Sequence, residues 1–466
     1  MRVMSLQQLA ASVKGRHVGA NVSFDAISTD TRTIQKGDLF VALQGENFDA
    51  NNFVEQAQAK GAVAALVSED VVVNMPYVKV NDTLSALSTL AKQQRELAGI
   101  PLVAITGSNG KTSVKEMLAS ILKQSHNVLA TTGNLNNQIG VPLTLLKLNE
   151  RHEIAVIEMG ASQQGDIAEL CDIASPTVAI LNNVGAAHLA GFGDIRGVAT
   201  AKGEIISGLS DNGIAILNRD EPWLEQWLEM LGDRKFISFG STDQADVWSD
   251  LNEVTTGLLD GRFTTRFALC YQQQRRDISL RLMGKHNVLN ALAAAAAAIS
   301  LNVSMADIRE GLAALNPVKG RMQPLTSIAG GVVINDCYNA NPKSFDAAMA
   351  CLEEISLPVY LVLGDFAELG DNSEQVHRQL GERIFNSDVQ GFYAVGNNMK
   401  CAVNEFNHLS TSTKRDARHF NNKQDLSDYL QKKLMAETVM LVKGSRSQGL
   451  ESIVEKITIK GNGKCC

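Results

Sequence analysis

Thr106-Gly107-Ser108-Asn109-Gly110-Lys111-Thr112 closes a short apolar run and opens a segment with helical spacing. A Gly-rich turn between strand and helix presents backbone N–H groups and the positive helix end to phosphate oxygens. In such a turn a lysine reaches the outer phosphates, and a following threonine hydroxyl can bind magnesium. Gly107, Ser108, Asn109, Gly110, Lys111, Thr112 and Ser113 are therefore the candidate nucleotide-binding residues. The common form of this loop carries a glycine five positions ahead of Gly110; Ile105 stands there, so the loop is a variant. The competing reading is a strand-to-helix turn that merely resembles a phosphate cradle, and the lysine, the threonine and the flanking elements favour the cradle. A cradle alone gives a nucleotide site, not a reaction.

Outward from the loop, the order is strand at 102–106, helix at 111–124, strand at 128–131 and strand at 154–158, the rhythm of a parallel sheet. Upstream, an apolar strand at 38–43, a helix at 52–60 and a polar helix at 82–97 make a small α/β unit that ends at Gly99-Ile100-Pro101. Downstream, alternation at 262–271 and 277–282 predicts an antiparallel ribbon, and an Ala-rich helix follows at 286–301. Asn316-Pro317-Val318-Lys319-Gly320 breaks the pattern again, and apolar runs at 332–334, 359–363 and 439–442 restart an α/β alternation without the dinucleotide glycine fingerprint. The expected fold is α/β with three domains, at 1–98, 99–316 and 317–466: a small first domain, a central phosphate-loop domain with a mostly parallel sheet, and a Rossmann-like third.

Length agrees, since 466 residues correspond to about three domains at roughly 150 residues each. Apolar residues at 45% and charged residues at 20% describe an ordinary globular chain, and a net charge of -7 gives no basic footprint for nucleic acid. No apolar run approaches the ~18 residues of a membrane span, and the start Met1-Arg2-Val3-Met4-Ser5-Leu6 lacks a signal-peptide core, so a cytoplasmic location without stable membrane association is expected. The seven cysteines are odd in number and fall in no metal-ligand spacing; Cys465-Cys466 ends a polar tail to which no function is assigned.

Other residues gain interest from position. Glu158 ends the apolar run Ile154-Ala155-Val156-Ile157, where a parallel sheet presents side chains to its crevice, and a carboxylate there can hold magnesium. His188 follows another run at 178–181 and could add a metal contact. Each taken alone is more often a capping or hydrogen-bonded structural residue. Lys202 reads as a surface lysine from composition, and capping explains Asn287 and Asn290 at the start of the Ala-rich helix as well as a ligand does.

The series resembles the Mur ligase family, along the whole chain. The cradle at 106–112, Glu158 after its strand, Ala186-Ala187-His188, Ala201-Lys202-Gly203-Glu204, His286-Asn287 with Asn290, and Gly320-Arg321 stand in that family's order. Ser28-Thr29-Asp30-Thr31-Arg32 is similar to the family's amino-terminal domain for the UDP-sugar end of the substrate. Gly133-Asn134-Leu135-Asn136-Asn137, Asp336-Cys337-Tyr338-Asn339-Ala340-Asn341-Pro342 and Gly364-Asp365-Phe366-Ala367-Glu368-Leu369-Gly370 resemble the members that join D-alanyl-D-alanine to UDP-N-acetylmuramoyl-tripeptide. Phe366 replaces a methionine usual in those members.

The resemblance implies an ATP- and magnesium-dependent ligase of peptidoglycan precursor synthesis, acting on those small molecules as a monomer. ATP would phosphorylate the tripeptide's terminal carboxylate, and the dipeptide amine would attack the acyl phosphate. It implies that Lys111, His188, Lys202 and Arg321 serve catalysis. Thr112 and Glu158 would bind one magnesium, and His188 and a carbamylated Lys202 a second. Asn287 and Asn290 would contact adenine, Asp336 the ribose and Arg321 the terminal phosphate, while Ser28, Asp30, Arg32, Asn134, Asn137, Asn339 and Asn341 would bind substrates. Two rivals remain: a folylpolyglutamate-type ligase with another acceptor, and a nucleotide-binding protein that makes no bond.

Overall fold

The computed structural model describes residues 1–45, 48–185, 189–259, 261–367, 369–410 and 415–459; His188, Glu368 and the Cys465-Cys466 tail lie outside the described residues. The central sheet runs, in spatial order, Val128–Ala130, Ile154–Glu158, Leu102–Thr106, Val178–Leu181, Ile214–Asn218, Lys235–Gly240, Val247–Trp248, Arg262–Tyr271 and Thr255–Leu259, with Gln274–Leu280 also on Arg262–Tyr271. The first seven strands pair in parallel and the last three add antiparallel edges. Leu102, Val103, Ala104 and Ile105 are all fully buried, as an apolar run covered on both faces requires. The expected ribbon is thus part of the same sheet. Its second strand starts at Gln274, because Tyr271 pairs with Gln274 across a two-residue turn in which Gln272 takes φ 52°.

One face of this sheet is covered by the cradle helix Lys111–Leu122 and the Ala-rich helix Lys285–Ser300. Ala291 through Ala298 are buried without exception, apart from Leu292 all alanine, so the two helices approach closely beneath the strands. The other face shares a core with the amino-terminal domain. There the helix Thr83–Ala98, capped by Asp82 and ended by Gly99 at φ 61°, is fastened across the junction. Buried Arg95 donates to the carbonyls of Ala174 (2.8 Å) and Ser175 (3.3 Å) at the end of the helix Asp166–Ala174.

The amino-terminal sheet orders Arg16–Val18, Tyr77–Lys79, Ala64–Val67, Leu39–Val41 and Ile27–Ser28. The helix expected at 52–60 begins as a 3-10 turn, Ala50–Phe53, because the Asp49 side chain accepts from the Asn51 N–H and tightens the entry. The carboxy-terminal sheet orders Gln323–Thr326, Val332–Asp336, Val439–Lys443, Val359–Gly364, Gly391–Val395 and Asp416–Phe420, parallel except for its first strand. Its core contains two residues of the central domain, Phe263 near the ribbon end and Met283, alongside Met322, Phe345 and Leu352. At this contact a Cβ on Gly284 would lie 2.4 Å from Cys351 Sγ.

Candidate active site

The central and carboxy-terminal sheets point the carboxyl ends of their strands at a shared cavity of about 600 Å³. The cradle forms its floor. Gly110 takes φ 79°, and a Cβ there would fall 2.4 Å from Asn290 Oδ1 and 2.6 Å from Asn182 Nδ2, so only glycine fits. Ser108 and Asn109 are fixed from the next strand's loop: Ser108 Oγ donates to Gly185 O (3.0 Å), and Asn109 N–H donates to Asn183 Oδ1 (2.9 Å).

Thr112 Oγ1 donates to Glu158 Oε2 (2.9 Å), Asn136 Nδ2 donates to Glu158 Oε1 (2.8 Å), and Arg321 Nη2 donates to Thr112 Oγ1 (2.9 Å). Glu158 is 3% exposed, and among the described residues it has neutral hydrogen-bond donors and no ion-pair partner. A buried carboxylate so held, next to a threonine hydroxyl, is the hard-oxygen donor set that suits magnesium. Lys111 Nζ donates to Gly107 O (2.7 Å); burial pushes its pKa down, against the pull of Glu158, and Arg321 adds to the fall. Lys202 lines the same cavity at 2% exposure, where burial and then the Lys111 charge bring it down to about 7.

Among the described residues, the carboxy-terminal domain closes the cavity through three polar links: Arg321 to Thr112, Asn341 Nδ2 to Asn109 Oδ1 (3.1 Å), and Lys343 Nζ to Val184 O (2.8 Å), with Glu221 4.0 Å from the same ammonium. Asn341 also caps the helix Pro342–Glu353, taking the Ser344 N–H on Oδ1 (2.8 Å).

Three family models match in order: "Mur ligase family, catalytic domain" at residues 23–95, "Mur ligase middle domain" at 105–298, and "Mur ligase, glutamate ligase domain" at 320–446. The UDP-N-acetylmuramoyl-tripeptide--D-alanyl-D-alanine ligase of Escherichia coli is 42% identical over 99% of both chains. The chain belongs to the Mur ligase family. Among solved structures, MurF of Acinetobacter baumannii superposes on this Mur ligase with a TM-score of 0.88 at 34% identity, covering 98% of each chain. MurF of Thermotoga maritima, solved in complex with ADP, gives 0.80 at 28% identity over 92% of this chain and 96% of its own.

In this Mur ligase the cavity brings together Ser108 to Ser113, Asn137, Glu158, Lys202, Asn287, Asn290, Arg321, Asp336, Asn339 and Asn341. Asn287 and Asn290 are buried and linked, Asn290 Nδ2 donating to Asn287 Oδ1 (3.2 Å) while Asn290 Oδ1 accepts from Asn182 (2.8 Å). Asp336 accepts from the Met322 N–H (3.0 Å) and pairs with buried Lys443 at 2.6 Å. Asn134 is exposed and is not among the lining residues. Ser28, Asp30 and Arg32 form a cluster of their own, also away from the lining residues: Arg32 grips Asp30 (2.7 Å), holding that carboxyl at about 2, and Ser28 Oγ donates to Asp30 O (3.0 Å). His188 lies outside the described residues. Residue-level reading passed over Asn136, Lys343 and Lys443, although Asn136 stood between two selected asparagines; Lys343 and Lys443 carry no local signal, because their partners Val184 and Asp336 are more than a hundred positions away.

Proposed function

We propose that this chain joins D-alanyl-D-alanine to UDP-N-acetylmuramoyl-tripeptide at the expense of ATP, through an acyl phosphate, releasing ADP and phosphate. The observation that carries the reading is the line Arg321–Thr112–Glu158, which sets a cation of the third domain on the nucleotide cradle of the second. The name borne by the full-length relatives supplies the two substrates, and the ADP held by the Thermotoga maritima protein supports nucleotide in the cradle.

Lys111 and Arg321 lower the repulsion between the nucleotide and the substrate carboxylate and meet the charge that develops on the moving phosphoryl group. Thr112 and Glu158 would hold magnesium, which when bound neutralises phosphate oxygens. Lys202, close to neutrality, is a fitting amine to carry a carbamate, whose oxygens would serve a second ion together with His188. Asn287 and Asn290 form the adenine side, and Asp336, steadied by Lys443, keeps lone pairs for the ribose. Ser28, Asp30 and Arg32 stand for the UDP end, and Asn137, Asn339 and Asn341 for the peptide ends, with Asn134 at the outer edge. We place the enzyme in the cytoplasm as a monomer acting on small molecules; among the described residues no helix is long and apolar enough to cross a membrane.

Phosphate release is measured with ATP, magnesium, UDP-N-acetylmuramoyl-tripeptide and D-alanyl-D-alanine, each omitted in turn, and the product is weighed by mass spectrometry. Release that needs all four and yields the pentapeptide is expected. Release that ignores the dipeptide would point to another acceptor or a bare ATPase.

A further inference from the structure

Among the described residues three lysines are nearly sealed from solvent: Lys202 and Lys443, which line the cavity, and Lys115, at 1% exposure, which does not. Lys115 lies on the cradle helix Lys111–Leu122, three residues after Thr112 and so beside it on the helix surface. Its ammonium donates to Thr131 O (2.7 Å) and pairs with Glu116, whose carboxylate reaches solvent. Burying an ammonium is costly, and an apolar side chain of similar length would fill the same space without that cost. Stability alone therefore does not account for the lysine. What the ammonium adds is a grip on one backbone carbonyl.

That carbonyl belongs to a residue that also supports Glu158. Thr131 is buried just beyond the strand Val128–Ala130; its N–H donates to Val156 O (3.0 Å), and its hydroxyl accepts from the Glu158 N–H (3.0 Å). Further along the same loop, Asn136 donates to Glu158 Oε1 (2.8 Å), and its carbonyl takes the Gly160 N–H (2.8 Å). Glu158 is thus held at its backbone by one end of the loop and at its carboxylate by the other. The cradle helix reaches Glu158 by two routes: directly, from Thr112 Oγ1 to Oε2, and through Lys115 and Thr131. Magnesium is small and strict in geometry, so its oxygen ligands need to be fixed relative to one another. One rigid helix carrying both anchors does that.

We propose that Lys115 is a positioning residue for the magnesium carboxylate: through Thr131 it sets Glu158 against Thr112. This rests on the magnesium reading given above. The test titrates ADP into the full-length chain by calorimetry, once with magnesium and once in EDTA, and the ratio of the two affinities reports what the metal contributes. In the unaltered chain magnesium should tighten ADP binding. Lys115→Met should cut that ratio by roughly tenfold or more, while metal-free ADP affinity is kept and reports that the variant is folded. Thr131→Val, which removes the acceptor of the Glu158 N–H, should act alike, and the double variant should lose little more than either alone because both break one line of contacts. Glu116→Gln weakens the ion pair and spares the grip on Thr131, so it should leave the ratio as it is. A Lys115→Met chain that keeps the ratio or loses both affinities together, or a Glu116→Gln chain whose ratio falls as far, overturns the inference alone. An unaltered chain whose ADP affinity ignores magnesium overturns the magnesium reading and the inference with it.

Discussion

At Lys202 the fold takes an ammonium-bearing side chain to 2% exposure and sets it near Lys111, which brings it down from 10.5 to about 7. Below pH 7 the folded and unfolded chains both carry the proton, and the cost of burying it is felt in full. Between about 7 and 10.5 only the unfolded chain keeps it, so stability rises with pH across that window. Lys202→Met should therefore raise Tm at pH 6 in buffer free of carbon dioxide, and the gain should shrink as the pH climbs towards 10; a gain constant over that range would place the lysine in water. Lys111 sits in the cradle proposed for the nucleotide, and on that reading Lys111→Ala should remove charge-assisted phosphate contacts worth about 1.5 to 3 kcal/mol. That corresponds to a loss of roughly ten- to a hundredfold in kcat/KM for ATP, and unchanged kinetics would withdraw the cradle assignment.

At the level of elements, the cradle's shape depends on Gly110 and the two asparagines behind it. Gly110→Ala forces an alanine into φ 79° and drives its methyl against the Asn182–Asn290 hydrogen bond. A loss of about 1 to 2 kcal/mol in stability is expected, with weakened ADP binding by calorimetry; a variant with native Tm would show that the loop can move aside. The strand before this loop was legible because Leu102 to Ile105 are apolar without a break, and the helix after it because Gly110 and Lys111 mark its start. The ribbon's place was not legible: periodicity reports that a strand alternates, not which sheet it joins, and Val247–Trp248, the strand that couples it to the parallel run, is only two residues long. Among site residues, Glu158 and the cradle could be read from their places at strand ends. Lys202 could not be read from composition, since nothing in Ala201-Lys202-Gly203 tells that the helix Ile195–Ser207 turns that side chain inward.

For the whole molecule, closure depends on few polar contacts, and Lys343 makes one with a carbonyl and a half-exposed ion pair. Such a link is worth about 0 to 1 kcal/mol, so Lys343→Ala should lower kcat by up to about fivefold while Tm stays within a degree or so. Nucleotide-induced compaction, followed by small-angle scattering, should weaken in step; compaction as in the unaltered chain would mean that the link follows closure without favouring it. The apolar contact nearby behaves differently. Phe263 and Met283 belong by sequence to the central domain but sit among the carboxy-terminal core residues. Pulling them out would bare two large side chains, about 1.5 to 3 kcal/mol each, so the two domains should swing about this patch as on a ball in its socket. Heated in a calorimeter, they should melt under one shared peak rather than two, and a fragment cut after residue 316 should carry Phe263 uncovered and self-associate.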